Sequence, residues 1–136
     1  MQFVIHNFLA ISMAVLSGSM LLWSLFGNRF RGIEEVDTAG ALQLINHKNA
    51  IVLDVREPGE YDTGHVLNAK LIPLGKLKER IGELEKFRDK PIVVVCRSGN
   101  RSGTASFLLG KQGFAQVYNL AGGVQAWQKN NLPLVK

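Results

Sequence analysis

The sequence predicts an α/β domain with a central parallel sheet flanked by helices on both faces, preceded by one N-terminal transmembrane helix. Ile92 to Val95 is an unbroken β-branched run, which is typical of a strand buried on both faces, and Ile51 to Val55 predicts a second buried strand. Segments with helical periodicity separate these runs, and such alternation favours a parallel sheet. Residues 1–27 contain no Lys, Arg, Asp or Glu, which points to a separate apolar segment.

Length and composition limit the chain to one folded domain. It has 136 residues, enough for a single hydrophobic core, and a formal net charge of +5. The single cysteine excludes a disulfide within the chain and fits a reducing compartment. We find no basic helix interleaved with aromatic residues, so the positive charge does not indicate a nucleic-acid partner.

The apolar stretch Phe8 to Phe26 predicts the transmembrane helix, because about 28 Å of helix crosses a bilayer core. A cleaved signal peptide is the alternative, but Met1 to Asn7 has no Lys or Arg, and Leu25 to Asn28 is a poor cleavage site. A buried core helix is the other alternative. The predicted organisation is a transmembrane anchor over residues 1–27, a linker over 28–35 and a folded domain over 36–132.

The charges that follow this segment predict its orientation. Arg29 and Arg31 lie on its C-terminal side, so the positive-inside tendency places a single-pass protein in the cell inner membrane with a cytoplasmic domain. Residues 8–26 would then contact membrane lipid. Ala10, Ala14 and Gly18 recur every four residues, and such a small-residue stripe predicts a membrane-protein partner.

The elements of the folded domain follow in order along the chain. Apolar periodicity predicts a helix ending near His47, a short helix after Pro58, and an amphipathic helix over 77–87. Two further helices follow Cys96 and Gly123. Beside the two buried strands, we expect strands at 70–72 and 117–119.

Cys96 falls where the strand Ile92 to Val95 ends, and a polar loop leads from it into a helix. Sites in α/β sheets form beyond the carboxyl ends of the strands. The loop and the helix start direct backbone N–H groups at one point, and Arg97 and Arg101 add positive charge. A thiol in that setting loses its proton more easily than a free thiol. The alternative is a small buried hydrophobic residue, as most free cysteines are.

Three stretches resemble the rhodanese-like sulfurtransferases, in their membrane-anchored, single-domain bacterial form. They are the loop Cys96 to Ser102, the stretch from Leu53 to Pro73 with its DVRE and GHV motifs, and Leu120 to Gly123 with Trp127. Their order matches the family from about Val36 to Leu132. Asn68 departs from the family's usual glycine, but asparagine tolerates a left-handed turn.

The resemblance implies a sulfurtransferase that carries sulfur as a persulfide on Cys96. A donor such as thiosulfate would supply the sulfur, and a thiol or cyanide would accept it. It implies catalytic roles for Cys96 and Arg101, and no cofactor or metal. The other expected loop or substrate-binding residues are Arg97, Ser98, Gly99, Asn100 and Ser102.

Asp54 and Arg56 end another predicted strand, so we expect them to support the loop. The alternative for this pair is an internal ion pair with no part in catalysis. For the whole chain, the alternatives are a membrane-tethered scaffold or docking module without enzymatic activity and a cysteine-dependent phosphatase. The loop from Cys96 to Arg101 is one residue shorter than phosphatase loops of related folds.

Overall fold

The computed structural model describes residues 1–30 and 33–136, and the side chains of 1–23 and 33–136. The chain divides into two compact units, Met1–Arg31 and Gly32–Lys136. Arg31 and the side chain of Arg29, on which the predicted membrane orientation depends, lie outside the described residues. The inner-membrane localisation therefore stays a prediction.

The first unit contains helices α1, Gln2–His6, and α2, Phe8–Phe30. The prediction of a transmembrane helix in this unit is wrong. Spanning a bilayer takes about 20 predominantly apolar residues. Among residues 1–30 and 33–136, no helix is both long enough and apolar enough to cross a membrane.

The second unit is built on five parallel strands in the order β1-β5-β4-β2-β3. The strands are β1, Glu34–Val36; β2, Ile51–Asp54; β3, Lys70–Leu71; β4, Ile92–Val95; and β5, Val117–Leu120. Strand β4 lies in the middle, with β2 and β5 on its two sides. All four of its residues are buried, which confirms the sequence prediction of a strand covered on both faces.

Alternate residues of each strand point to opposite faces of the sheet. Because both faces carry buried apolar residues, helices cover the sheet on two sides. On one face Ile92, Val94 and Cys96 pack with Leu109 and Leu77. On the other face Val93 and Val95 pack with Ala41 and Trp127. The helices of this unit are α3, Thr38–Lys48; α4, Pro58–Thr63; α5, Leu77–Arg80; α6, Asn100–Lys111; and α7, Gly123–Lys129.

Two elements differ from the sequence prediction. The segment 77–87 forms α5 followed by a 3-10 helix, Ile81–Phe87, instead of one amphipathic helix. Gly82 lies at this change, and glycine weakens an α-helix. Glu34–Val36 forms strand β1 beside β5, in a stretch that the sequence analysis assigns partly to a linker. Its two glutamates are exposed and give no alternating pattern.

Candidate active site

Cys96 directly follows β4 and continues the face of the sheet that Ile92 and Val94 occupy. Its side chain is therefore directed beneath α6, and the residue is only 1% exposed. Helix α6 begins at Asn100, after Gly99, whose φ of 106° is a left-handed conformation that favours glycine. The chain thus turns back over the sulfur within three residues.

Polar groups surround the buried sulfur. The Gly99 N–H donates to Cys96 Sγ at 3.0 Å, and the Ser102 hydroxyl lies 3.3 Å from Sγ. Burial raises the pKa of the Cys96 thiol, whereas hydrogen bonds from the Ser102 hydroxyl and from the N–H groups of Ser102, Gly99 and Ser98 lower it; the net shift is downward. These donors distinguish Cys96 from a cysteine that only fills space.

The start of α7 fixes the beginning of the loop. Val124 N–H donates to the Cys96 carbonyl at 2.8 Å, and Gln125 N–H donates to the Arg97 carbonyl at 3.1 Å. A Cβ on Gly123 would lie 2.3 Å from the Cys96 carbonyl oxygen, so only glycine allows this close approach. The Gly-Gly pair of the third sequence motif therefore positions the loop.

Asn119 on β5 is a site residue that the sequence analysis missed. It is 4% exposed and pairs in register with Val94, two residues before Cys96. Its Nδ2 donates to the Gly99 carbonyl at 3.1 Å, and its Oδ1 accepts from the Ser102 hydroxyl at 2.6 Å. The sequence feature that could have identified it is an amide residue near the carboxyl end of the predicted strand 117–119.

Arg101 forms a two-pronged ion pair with Glu60 on α4. Its Nη1 and Nη2 lie 2.7 and 2.9 Å from Glu60 Oε1 and Oε2. The hydrogen bond to Glu60 raises the pKa of Arg101, and the nearby Cys96 thiolate contributes in the same direction. Arg101 thus lies within electrostatic reach of the sulfur, but a carboxylate offsets its charge. Glu60 was not predicted as a site residue from the sequence.

Asp54 and Arg56 form the ion pair that was one of the two predictions for them. Arg56 Nη2 donates to Asp54 Oδ2 at 2.8 Å and also to the Gly64 carbonyl at 2.8 Å. Both side chains are almost fully buried. Their side-chain hydrogen bonds hold the end of β2 and the turn at Gly64, and none of these bonds reaches the Cys96 loop.

Three of the predicted loop residues face solvent: Arg97, Ser98 and Asn100. Arg97 lines a cleft of about 420 Å³ together with Arg56, Glu60, Gln125 and Gln128, next to the loop. Ser102, by contrast, is buried in the first turn of α6, and Gly99 occupies the capping position. Among the residues with described side chains, no three His, Cys, Asp or Glu cluster closely enough to hold a metal ion.

Comparison with known proteins places this site in a family. The rhodanese-like domain family matches residues 37–130. The uncharacterized protein YibN of Escherichia coli K12 is 36% identical over the whole chain and 96% of its own length. A protein of Allochromatium vinosum named sulfurtransferase is 36% identical over 76% of this chain and 95% of its own.

A solved structure gives the same result. The crystal structure of a rhodanese-related protein from Thermoplasma volcanium is 37% identical, with a TM-score of 0.68, over 75% of this chain and 97% of that chain. The family match over residues 37–130 covers β2 to β5, from α3 to α7, and so includes Cys96. The chain therefore belongs to the rhodanese-like family, and some of its relatives are named sulfurtransferases.

Proposed function

We propose that this protein is a sulfurtransferase that moves a sulfane sulfur from an anionic donor such as thiosulfate to a thiol or cyanide, through a persulfide on Cys96. The observation that carries the proposal is the set of hydrogen-bond donors around Cys96 Sγ. Gly99 N–H at 3.0 Å and the Ser102 hydroxyl at 3.3 Å stabilise negative charge on sulfur.

In the first step, the Cys96 thiolate attacks the outer sulfur of thiosulfate. A new S–S bond forms to Cys96 while the S–S bond of the donor breaks, and its electron pair leaves with sulfite. The persulfide that remains is anionic, so the same N–H and hydroxyl donors stabilise it.

In the second step, an acceptor thiolate or cyanide attacks the outer sulfur of the persulfide. The electron pair of the Cys96 S–S bond returns to Cys96, which restores the thiolate and releases a persulfide or thiocyanate. No external oxidant or reductant is needed. Because Cys96 is 1% exposed, we expect small donors to react faster than bulky ones.

The test is an intact-mass measurement of the full chain after incubation with thiosulfate. We expect one added sulfur atom, removed again by cyanide with formation of thiocyanate. Cys96→Ser is the matched control and should gain none, because a hydroxyl is a poorer nucleophile and the chain has no second cysteine. Unchanged mass in the unsubstituted protein with thiosulfate and with polysulfide would reject sulfur transfer and favour the non-enzymatic docking alternative.

A phosphatase is not favoured by this geometry. An arginine that binds phosphate in such a loop must present its guanidinium to the ligand, whereas both Nη atoms of Arg101 are bonded to Glu60. The same protein preparation should therefore fail to hydrolyse p-nitrophenyl phosphate. Hydrolysis that disappears in Cys96→Ser would contradict this assignment.

A further inference from the structure

The buried amide of Asn119 has a defined orientation, although oxygen and nitrogen look alike in shape. The Gly99 carbonyl can only accept a hydrogen bond, so the atom that faces it at 3.1 Å must be the amide nitrogen. The amide oxygen then faces Ser102 at 2.6 Å. An amide oxygen can only accept, so the Ser102 hydroxyl must donate to it.

The Ser102 hydroxyl has a single hydrogen, and two acceptors compete for it: Asn119 Oδ1 and Cys96 Sγ. When its hydrogen lies on Asn119 Oδ1, Ser102 Oγ can only accept from the Cys96 thiol at 3.3 Å. When the sulfur is a thiolate, it can no longer donate, and the Ser102 hydrogen is better placed on the charged sulfur. That rotation leaves the buried Asn119 oxygen without its partner, which has a cost.

We propose that Asn119 is a positioning residue for the reaction at Cys96, which holds the Ser102 hydroxyl hydrogen away from the thiol and releases it to the sulfur when the sulfur becomes anionic. The role in turnover rests on the proposed sulfur transfer. The hydrogen-bond competition itself does not, since it concerns any ionisation of Cys96. Ser102 and Asn119 are both almost fully buried, so water does not substitute readily for either partner.

The second contact of Asn119 has a smaller effect on the sulfur. The Gly99 carbonyl also accepts the first helical bond of α6, from Gly103 N–H at 3.1 Å. Loss of Nδ2 therefore leaves the loop attached to the helix. The charged side chains nearby are Arg97 and Arg101 on the loop and α6, Glu57 and Glu60 at α4, and the pair formed by Asp54 at the end of β2 and Arg56 just after it. Within the described part of the chain, none of these side chains is hydrogen-bonded to the side chain of Asn119 or Ser102.

The experiment is the pH profile of Cys96 alkylation by iodoacetamide in the full chain, which reports one thiol because the chain has one cysteine. Asn119→Leu removes the competing acceptor, so the apparent pKa of Cys96 should fall by about one unit, a roughly tenfold gain in thiolate fraction below the pKa. Asn119→Asp keeps an acceptor, loses the donor and adds negative charge, so the apparent pKa should rise.

The decisive comparison repeats Asn119→Leu in a Ser102→Ala background. Without the Ser102 hydroxyl, no hydrogen can move to the sulfur, so the downward shift in the apparent pKa of Cys96 should disappear. The same shift in both backgrounds, no shift at all, or a rise with Asn119→Leu would overturn the proposal. If Asn119→Leu does not fold, as judged by circular dichroism, Asn119→Ala is measured in both backgrounds with the same expectations.

These outcomes are separable from the proposed function. Alkylation needs no sulfur donor, so a protein that gains no sulfur from thiosulfate can still show the expected shifts. Conversely, a protein that forms the persulfide normally can fail the double-variant comparison. In that case Cys96 carries the sulfur and Asn119 only holds the loop.

Discussion

Two arginines near the Cys96 loop are each held by a carboxylate, but in different surroundings. Arg56 Nη2 lies 2.8 Å from Asp54 Oδ2, and the two side chains are 5% and 0% exposed. Arg101 Nη1 lies 2.7 Å from Glu60 Oε1, and these side chains are 35% and 33% exposed. The bond lengths are nearly equal, so solvent exposure is the main difference between the pairs.

That difference separates the roles of the two pairs. In the buried pair, removal of one partner leaves the other charge where water cannot reach it, so loss of either partner alone destabilises the fold. In the exposed pair, water can replace the lost partner, and the contribution to stability is small. Arg101 is therefore the arginine whose charge can change the chemistry at Cys96 without unfolding the domain.

The largest effect is expected from Asp54→Asn, which removes the charge of the buried pair while nearly keeping its shape. We expect a loss of about 3–5 kcal/mol in the free energy of unfolding, because Arg56 keeps its charge in the interior. Urea denaturation of the full chain, followed by circular dichroism, measures it. Glu60→Gln is the matched control in the exposed pair and should cost about 1 kcal/mol or less.

A double replacement sharpens this result. Asp54→Leu combined with Arg56→Met removes both charges, and replacement of a buried pair by apolar residues is often close to neutral. We expect the double variant to be more stable than Asp54→Asn. Equal losses for Asp54→Asn and Glu60→Gln would show that burial does not separate the two pairs.

An intermediate effect is expected from Arg101→Ala on the pKa of Cys96. Loss of a nearby positive charge raises the thiol pKa, but Glu60 already offsets part of that charge, so we expect a rise of less than about one unit, or about 1.4 kcal/mol. The alkylation rate of Cys96 against pH measures it, with Arg101→Lys as the charge-conserving control.

Glu60→Gln tests the same interaction by changing the carboxylate instead of the arginine. It leaves the Arg101 charge without its partner, so the pKa of Cys96 should fall slightly. Identical alkylation profiles for Arg101→Ala, Glu60→Gln and the unsubstituted protein would mean that Arg101 does not influence the thiol. The hydrogen bonds from the Ser102 hydroxyl and from the N–H groups of Ser102, Gly99 and Ser98 would then account for the lowered pKa by themselves.

The buried strands were the part of the fold that the sequence revealed best. An unbroken β-branched run identified β4, a largely apolar run identified β2, and the left-handed turn expected at Asn68 is present with a φ of 63°. Strand β1 was missed, because an edge strand with exposed glutamates has no hydrophobic pattern. The split of the 77–87 segment near Gly82 was missed, because Leu77 and Leu84, both buried in the core, keep an apolar spacing that suits one continuous helix.

The contiguous part of the site was predictable from the sequence, but the contacts between distant segments were not. The loop from Cys96 to Ser102 is continuous in sequence, so its place after a strand and before a helix could be read directly. The partners of Ser102 and Arg101 lie 17 and 41 residues away. Only the sheet order, which sets β5 beside β4, brings Asn119 to Ser102. Sequence spacing carries no information on such contacts.

The smallest expected effect is the pH dependence of the exposed pair. The hydrogen bond from Arg101 lowers the pKa of Glu60 to about 2, although partial burial opposes this, and the Glu57 N–H and the charges of Arg101 and Arg56 add to the lowering. A carboxylate with a lowered pKa in the folded protein stabilises the fold fully above its unfolded value, near 4.5. The contribution is lost as the pH falls from there towards 2.

Glu60→Gln isolates this contribution, because a glutamine can still accept the N–H of Glu57 that Glu60 accepts at 3.2 Å. We expect the unsubstituted protein to exceed the variant in stability by up to about 1 kcal/mol at pH 6, and the difference to shrink as the pH approaches 2. Urea denaturation at a series of pH values measures both proteins. A difference that stays constant down to pH 2 would mean that the stabilisation comes from neutral hydrogen bonding. Because water screens this pair, added salt should also reduce the difference at pH 6, whereas it should barely change the loss caused by Asp54→Asn.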